Sequence, residues 1–254
     1  MTKPPMARLD RLLANLGYGS RREVQDLVRA GRVALDGAPL KDAGARIAVT
    51  ADLPGRMSVS GQPLDPPAPL TLMMHKPLGV VCSHREAGRS VYELLPQRWR
   101  AREPGLSTVG RLDKDTSGLL LITDDGGFLH RVISPRSHVP KRYAATLDRP
   151  LRGDEAAVFA AGELMLDGES EPLAPAVLEV LSPTSALLTI TEGRYHQVRR
   201  MFAAVGNHVT ALHRDRIGGL ALPDDLEPGA WRRLEPQDAQ RIFQADASAG
   251  RGST

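Results

Sequence analysis

Gly110-Arg111-Leu112-Asp113-Lys114-Asp115-Thr116-Ser117-Gly118-Leu119-Leu120-Leu121-Ile122-Thr123-Asp124-Asp125-Gly126 is the stretch around which the rest of the chain is laid out. It reads as a charged turn, an apolar strand and a second turn. Gly110 and Gly118 permit backbone angles that other residues resist. Leu119 to Ile122 is a short apolar run, and Asp-Asp-Gly after it is a turn signal. Asp113 sits just before the strand, between Arg111 and Lys114. That position exposes a carboxylate at the lip of a sheet, near cations that favour its ionised form. Taken alone, the same acids could equally cap turns.

The totals narrow the classes. The chain has 254 residues, 41% of them hydrophobic and 25% charged, which suits one large domain or a large and a small one. Net charge is +3, and it is unevenly spread: residues 1–50 hold nine Lys and Arg against five Asp and Glu. A basic front end is compatible with nucleic acid without proving it. The single cysteine, Cys82, rules out an internal disulfide and any cysteine-cluster metal site. No apolar run is long enough to span a bilayer, and the N-terminus lacks a signal-peptide core. A cytoplasmic protein without a membrane partner is the expectation.

Leu9, Leu12, Leu13 and Leu16 have helical spacing, and Gly17 ends the run. Ser20 and Glu23 form a capping box for a second helix carrying Val24, Leu27 and Val28. Arg32 to Leu35 reads as a strand, Asp36-Gly37 as a tight turn, and Ala38 to Leu40 as the return. Arg8, Arg11, Arg21, Arg22, Arg29 and Arg32 stud this small module. Scattered arginines usually mark solvated faces. Six without a matching acid cluster tilt the reading toward a phosphate-binding surface. Residues 61–69 hold four prolines in nine positions and read as a stiff linker. The expected domains are therefore 7–60 and 70–243, with a disordered tail at 244–254.

Beyond the linker, Leu70 to Met74 reads as a strand broken by Lys76-Pro77-Leu78-Gly79. Lys141 to Leu147 alternates as a strand should and carries Tyr143 directly after two cations. Glu192 to Gly206 reads as a helix. Val198, Phe202 and Val205 face the core, and His196, Arg199 and Arg200 share another side. His196, His208 and His213 lack accompanying Cys or acid ligands, so no metal site is expected.

The string from Gly110 to Gly126 resembles, without a break, the signature of the pseudouridine synthases, enzymes that isomerise uridine within RNA. The resemblance extends to the Lys-Pro-x-Gly turn at 76–79 and the His-Gln-Val-Arg segment at 196–199. Residues 7–50 resemble the alpha-L RNA-binding domain found on many RNA-modifying enzymes. Glu192 to Val198 with Met201 to Val209 looks most like the branch acting on a single uridine of 16S ribosomal RNA. These likenesses imply that Asp113 is catalytic, that Tyr143 stacks on the target base and that Arg199 neutralises Asp113, with Arg200 as fallback. They imply an apolar residue beneath the base at Ile217 or Leu220. From the residues themselves, His196 and Arg200 are candidate substrate-binding cations on the Arg199 side of the helix, and Arg111 and Lys76 shape the loop or touch substrate phosphates. No cofactor is implied.

The expectation is an α+β protein: a small RNA-binding module of two helices and a hairpin, then a catalytic domain on a mixed, mostly antiparallel sheet. The expected partner is ribosomal RNA, as 16S rRNA or a small-subunit assembly particle, and the default state is a monomer. Alternatives are a large-subunit rRNA synthase, a non-catalytic RNA-binding assembly factor, and a glycosidase using paired acids. The last needs Asp115 as the second acid.

Overall fold

The structure is a computed structural model that describes residues 3–83 and 86–244. Apart from Gln244, the expected tail lies outside the described residues. The chain divides into two compact units: residues 1–71 with 95–107 and 123–125, and residues 72–94 with 108–122 and 126–254.

The first unit begins with β1 (Met6–Arg8), α1 (Leu9–Asn15) and α2 (Arg21–Arg29). The capping box is present: Glu23 N–H donates to Ser20 Oγ at 3.3 Å, and Ser20 N–H donates to Glu23 Oε2 at 2.7 Å. The hairpin joins β2 (Val33–Leu35) to β3 (Ala38–Pro39). Asp36 and Gly37 have φ of +50° and +79°, the pair of left-handed residues that a two-residue hairpin turn requires. Then come β4 (Arg46–Ala48), α3 (Leu53–Arg56), β5 (Met57–Val59) and β6 (Gln62–Pro63). β1 pairs with β4, and a second sheet runs β3-β2-β5-β6. Leu9, Leu13, Val24, Val33 and Met57 lie at the centre of one apolar core.

The stretch expected as a linker at 61–69 starts later than its prolines suggest. Gln62–Pro63 is a strand against β5, and Leu64 is buried in the module core. Pro63 is tolerated because β6 is an edge strand, where a missing N–H breaks no ladder.

Asp124, which sequence assigns to turn chemistry, is buried in this unit. Its carboxylate accepts from Arg102 at 3.1 Å and from Leu70 N–H at 2.7 Å, and both charged side chains are 1% exposed. Removing one member of such a pair strands the other charge. Asp124→Asn should therefore cost about 3–5 kcal/mol in a urea titration. An unchanged midpoint would mean the pair carries no weight.

The second unit is built on a nine-stranded sheet in the order β11-β12-β10-β13-β9-β7-β15, with β14 on β13 and β8 on β9. In chain order these are β7 (Thr71–Lys76), β8 (Ser107–Thr108), β9 (Thr116–Thr123), β10 (Lys141–Leu147), β11 (Val177–Ser182), β12 (Ser185–Ile190), β13 (Val209–Ile217), β14 (Leu220–Ala221) and β15 (Trp231–Arg233). β9 runs parallel to β13, whereas β10 is antiparallel to both β12 and β13. The helices are α4 (Gly126–Ile133), α5 (Glu155–Ala161), α6 (Gln197–Ala204) and α7 (Pro236–Arg241). Phe159 of α5 and Phe202 of α6 meet edge to face at 5.4 Å, over Ala145, Leu188 and Leu212 of the sheet. The molecule is thus the α+β arrangement expected, with the mixed sheet in the larger unit. Among the described residues no helix is long and apolar enough to cross a membrane.

Candidate active site

The Asp113 turn is held from beneath. Leu112 is buried, and its N–H points to Cys82 Sγ at 3.4 Å. Thr116 N–H donates to the Asp113 carbonyl at 3.1 Å, closing the turn just before β9. Gly79 N–H donates to the Lys114 carbonyl at 2.8 Å. Lys76 is 0% exposed, and its Nζ donates to the carbonyls of Thr116 at 2.8 Å and Pro77 at 3.0 Å. Lys76 therefore does not offer its ammonium to RNA; of the two roles the sequence left open for it, shaping the loop and touching phosphate, its burial fits the first. It clamps two backbone turns together, and burial lowers its pKa below the usual lysine range. The Lys-Pro-Leu-Gly turn is the brace of the Asp113 turn.

Above this brace the Asp113 carboxylate stays 32% exposed, with His196 Nε2 at 3.4 Å from Oδ1. His196 is not on a helix face. It precedes α6 in a left-handed conformation, φ +49°, and its ring stacks on Tyr195 at 3.8 Å. The segment 192–196 is tied down by Gln197, which accepts from Arg194 N–H and donates to Glu192, both at 2.9 Å. The expected helix is shorter because these side-chain bonds satisfy its start.

Arg199, expected on Asp113, meets Asp115 instead. Its Nη2 lies 3.1 Å from both the Asp115 carbonyl and Oδ2, and Nη1 donates to the Val209 carbonyl at 2.8 Å. Arg200 is turned away onto Glu169 at 2.8 Å and the carbonyls of Asp167 and Tyr195. Arg111 is exposed and pairs with Glu86 at 3.3 Å. Leu220 and Ile217 are buried in the core with Phe128 and Ile242, away from Asp113.

One cavity of about 90 Å³ gathers Arg111, Asp113, Tyr143, His196 and Arg199. Its apolar walls are Leu112, Ile190, Val198 and Leu212, and Thr116, Gly193, Arg194 and Gln197 complete it. Leu212 lines this cavity and Leu220 does not, and register explains it. Leu212 pairs with Thr116 on one side and Ala145 on the other, so it faces the Asp113 side of the sheet. Tyr143 pairs with Arg214 on that same face; Arg214 Nη1 lies 3.4 Å from the Tyr143 hydroxyl, and its Nε donates to the Leu119 carbonyl at 2.9 Å. Strand alternation could have flagged Leu212, but only once its neighbours were known. The cavity is below the roughly 300 Å³ at the low end of sites for drug-sized ligands, a scale suited to a smaller group such as a single base.

A larger cavity of about 670 Å³ lies on the opposite face of the same strands, over Ser117, Ala144 and His213. Burial, with His75 beside it, lowers the pKa of His213, whose Nδ1 is 2.9 Å from Ser117 Oγ. Size does not make this the reactive site, because Asp113 faces the smaller cavity.

On the N-terminal module, three of the six arginines are engaged by acids. Arg8 and Arg21 meet the buried Asp10 carboxylate at 3.1 and 2.7 Å, and Arg29 pairs with Asp26. Arg11, Arg22 and Arg32 are exposed, with no ion pair among the described residues. The hydrogen bonds from Arg8, then Arg21, lower the Asp10 pKa from 3.8 to about 2. A carboxylate whose pKa falls on folding stabilises the fold above its unfolded value and stops doing so as pH drops through the folded one. The module should therefore lose stability between about pH 4 and pH 2. Denaturant midpoints across that window should fall in the wild type and change less in Asp10→Asn; parallel curves would sink this account.

Comparison with known proteins follows the same division. A family profile described as RNA pseudouridylate synthase matches residues 71–204, and an S4 domain profile matches residues 7–52. Ribosomal small subunit pseudouridine synthase A of Escherichia coli is 43% identical over 239 residues, covering 92% of this chain and 99% of that protein. The enzyme of the same name from Vibrio cholerae is 41% identical over 237 residues, covering 93% and 100%. A crystal structure of a pseudouridylate synthase superposes with a TM-score of 0.65 at 36% identity, covering 92% of this chain and 99% of that one.

Proposed function

The chain belongs to the RNA pseudouridylate synthase family, and from that premise we propose that it isomerises one uridine of 16S ribosomal RNA to pseudouridine. The observation that carries the reading is the cavity where an accessible Asp113 carboxylate shares walls with the Tyr143 ring and the Arg199 guanidinium. The small-subunit assignment is supported by relatives of that name at 41–43% identity over nearly their whole length.

In this mechanism the target uridine leaves its stack, which costs a few kcal/mol. Tyr143 stacks on the extruded base, as aromatic side chains do with unstacked RNA. Asp113 acts at the ribose, as nucleophile at the anomeric carbon or as base at the neighbouring one. The base detaches, turns and rejoins through carbon. His196 accompanies the carboxylate, and Arg199 secures the turn through Asp115. The S4 module contributes phosphate contacts through Arg11, Arg22 and Arg32, with Arg8, Arg21 and Arg29 shared with their acids.

Incubating the protein with naked 16S and 23S rRNA and with small-subunit assembly particles, then mapping pseudouridine, tests this. One new pseudouridine in 16S rRNA, free or assembled, is expected. Product confined to 23S rRNA would move the enzyme to the large-subunit branch. Tight binding without product in any of these RNAs would leave an assembly factor.

A further inference from the structure

Two residues that line the Asp113 cavity each carry a buried polar atom with no hydrogen-bond partner among the described residues: the Thr116 hydroxyl and Arg199 Nε. Thr116 is 1% exposed. Its N–H is used by the Asp113 carbonyl and its carbonyl by Lys76, so the backbone is fixed and only the hydroxyl is left over. The other two nitrogens of the Arg199 guanidinium are committed to Val209 and Asp115. A buried polar group left unpaired is destabilising, and a valine would fill the Thr116 site without that cost. Two such groups on residues lining one cavity fit a ligand that carries two acceptors.

We propose that the Thr116 hydroxyl and Arg199 Nε are the donors that read O2 and O4 of the target uracil. The inference rests on the pseudouridine synthase reading and deepens it. The reaction breaks the bond from N1 to the anomeric carbon and forms one from C5 to that carbon. C5 loses a proton and N1 gains one, so the overall change is an isomerisation. For C5 to reach the sugar, the ring turns over about the axis through N3 and C6. That turn exchanges O2 and O4 and leaves N3 where it was. Two donors, one for each carbonyl, therefore fit the base both before and after the turn. Cytosine carries an amino group in place of O4; the Thr116 hydroxyl can turn to accept from it, whereas Arg199 Nε only donates, so discrimination against cytosine falls to Arg199.

The test uses the full-length protein and an rRNA substrate carrying uridine, 2-thiouridine or 4-thiouridine at the target. Thr116→Val should slow single-turnover conversion roughly 30-fold, and Thr116→Ser should recover to within about threefold of wild type. RNA affinity should stay within about twofold, because phosphate contacts set it. The melting temperature of Thr116→Val should not fall, since the hydroxyl has no partner in the protein; a hydroxyl with a structural role would lower it. At one of the two positions, the effects of sulfur and of Thr116→Val should be less than additive. An active wild type with Thr116→Val within threefold of it overturns this proposal alone. So do failure of serine to rescue, a parallel loss of stability, or full additivity at both thio positions. A wild type that modifies no ribosomal RNA overturns the family mechanism and this proposal with it.

Discussion

Asp113→Asn should lower pseudouridine formation by roughly 10,000-fold or more, the scale at which loss of a reacting carboxylate is felt. RNA affinity should stay within about twofold of wild type. The substitution keeps the side-chain shape. The turn is held by its backbone, with Thr116 N–H on the Asp113 carbonyl and Lys76 Nζ on the Thr116 carbonyl, so its geometry should survive. What goes is the charge and the capacity to attack or to take a proton. Asp115→Asn is the control. That carboxylate is 69% exposed, and Arg199 keeps the Asp115 carbonyl when the side chain is neutral. It should retain activity within about tenfold. Product release from tritiated RNA, paired with filter binding, measures both quantities. An active Asp113→Asn, or an inactive Asp115→Asn, would favour a mechanism with paired acids.

Gly118→Ala should disrupt the sheet beside the site. Gly118 has φ of +114°, and a Cβ there would lie 2.1 Å from the Arg214 carbonyl oxygen. The clash is with backbone, in the parallel pairing of β9 with β13, so no side chain can swing away to relieve it. Strand separation there would move Thr116 and Leu212, which line the cavity, and Arg214 beneath Tyr143. Overpacking together with an unsuitable backbone angle should cost about 3 kcal/mol or more, with activity lost in parallel. Gly126→Ala is the contrast: nothing lies within 4 Å of its Cβ position, and alanine favours the helix it begins. Chemical denaturation of both variants checks this. A Gly118→Ala protein as stable as wild type would show that β9 can shift at no cost.

Much of the molecule was legible from local chemistry. The Ser20–Glu23 capping box, the Asp36-Gly37 hairpin and the strand after Gly118 are decided within a few residues of chain, by backbone angles and nearby hydrogen bonds. Where a side chain bonded locally in an unexpected way, the reading erred by a few residues. Gln197 shortened the helix at 192–206, and β6 took the first residues of the supposed linker.

The sequence by itself determined the order of elements, the α+β class and the basic front module, and its resemblance to a known signature singled out Asp113 in Gly110–Gly126. Those rest on periodicity and on a string of residues that needs no partner to be recognised. Only the tertiary structure decided which cation meets which acid and which apolar residue faces the site. Lys76 looks like a surface cation in a turn, yet β9 lies beside β7 and buries its Nζ against the Thr116 carbonyl. Arg199 lines the same cavity as Asp113 yet takes Asp115. Leu212 reaches the cavity and Leu220 does not, because the pairing of β13 with Thr116 and Ala145 turns one to that face while the end of the strand closes into the core. Register between strands a hundred residues apart is a long-range quantity, and a shift of one position would exchange every one of these partners.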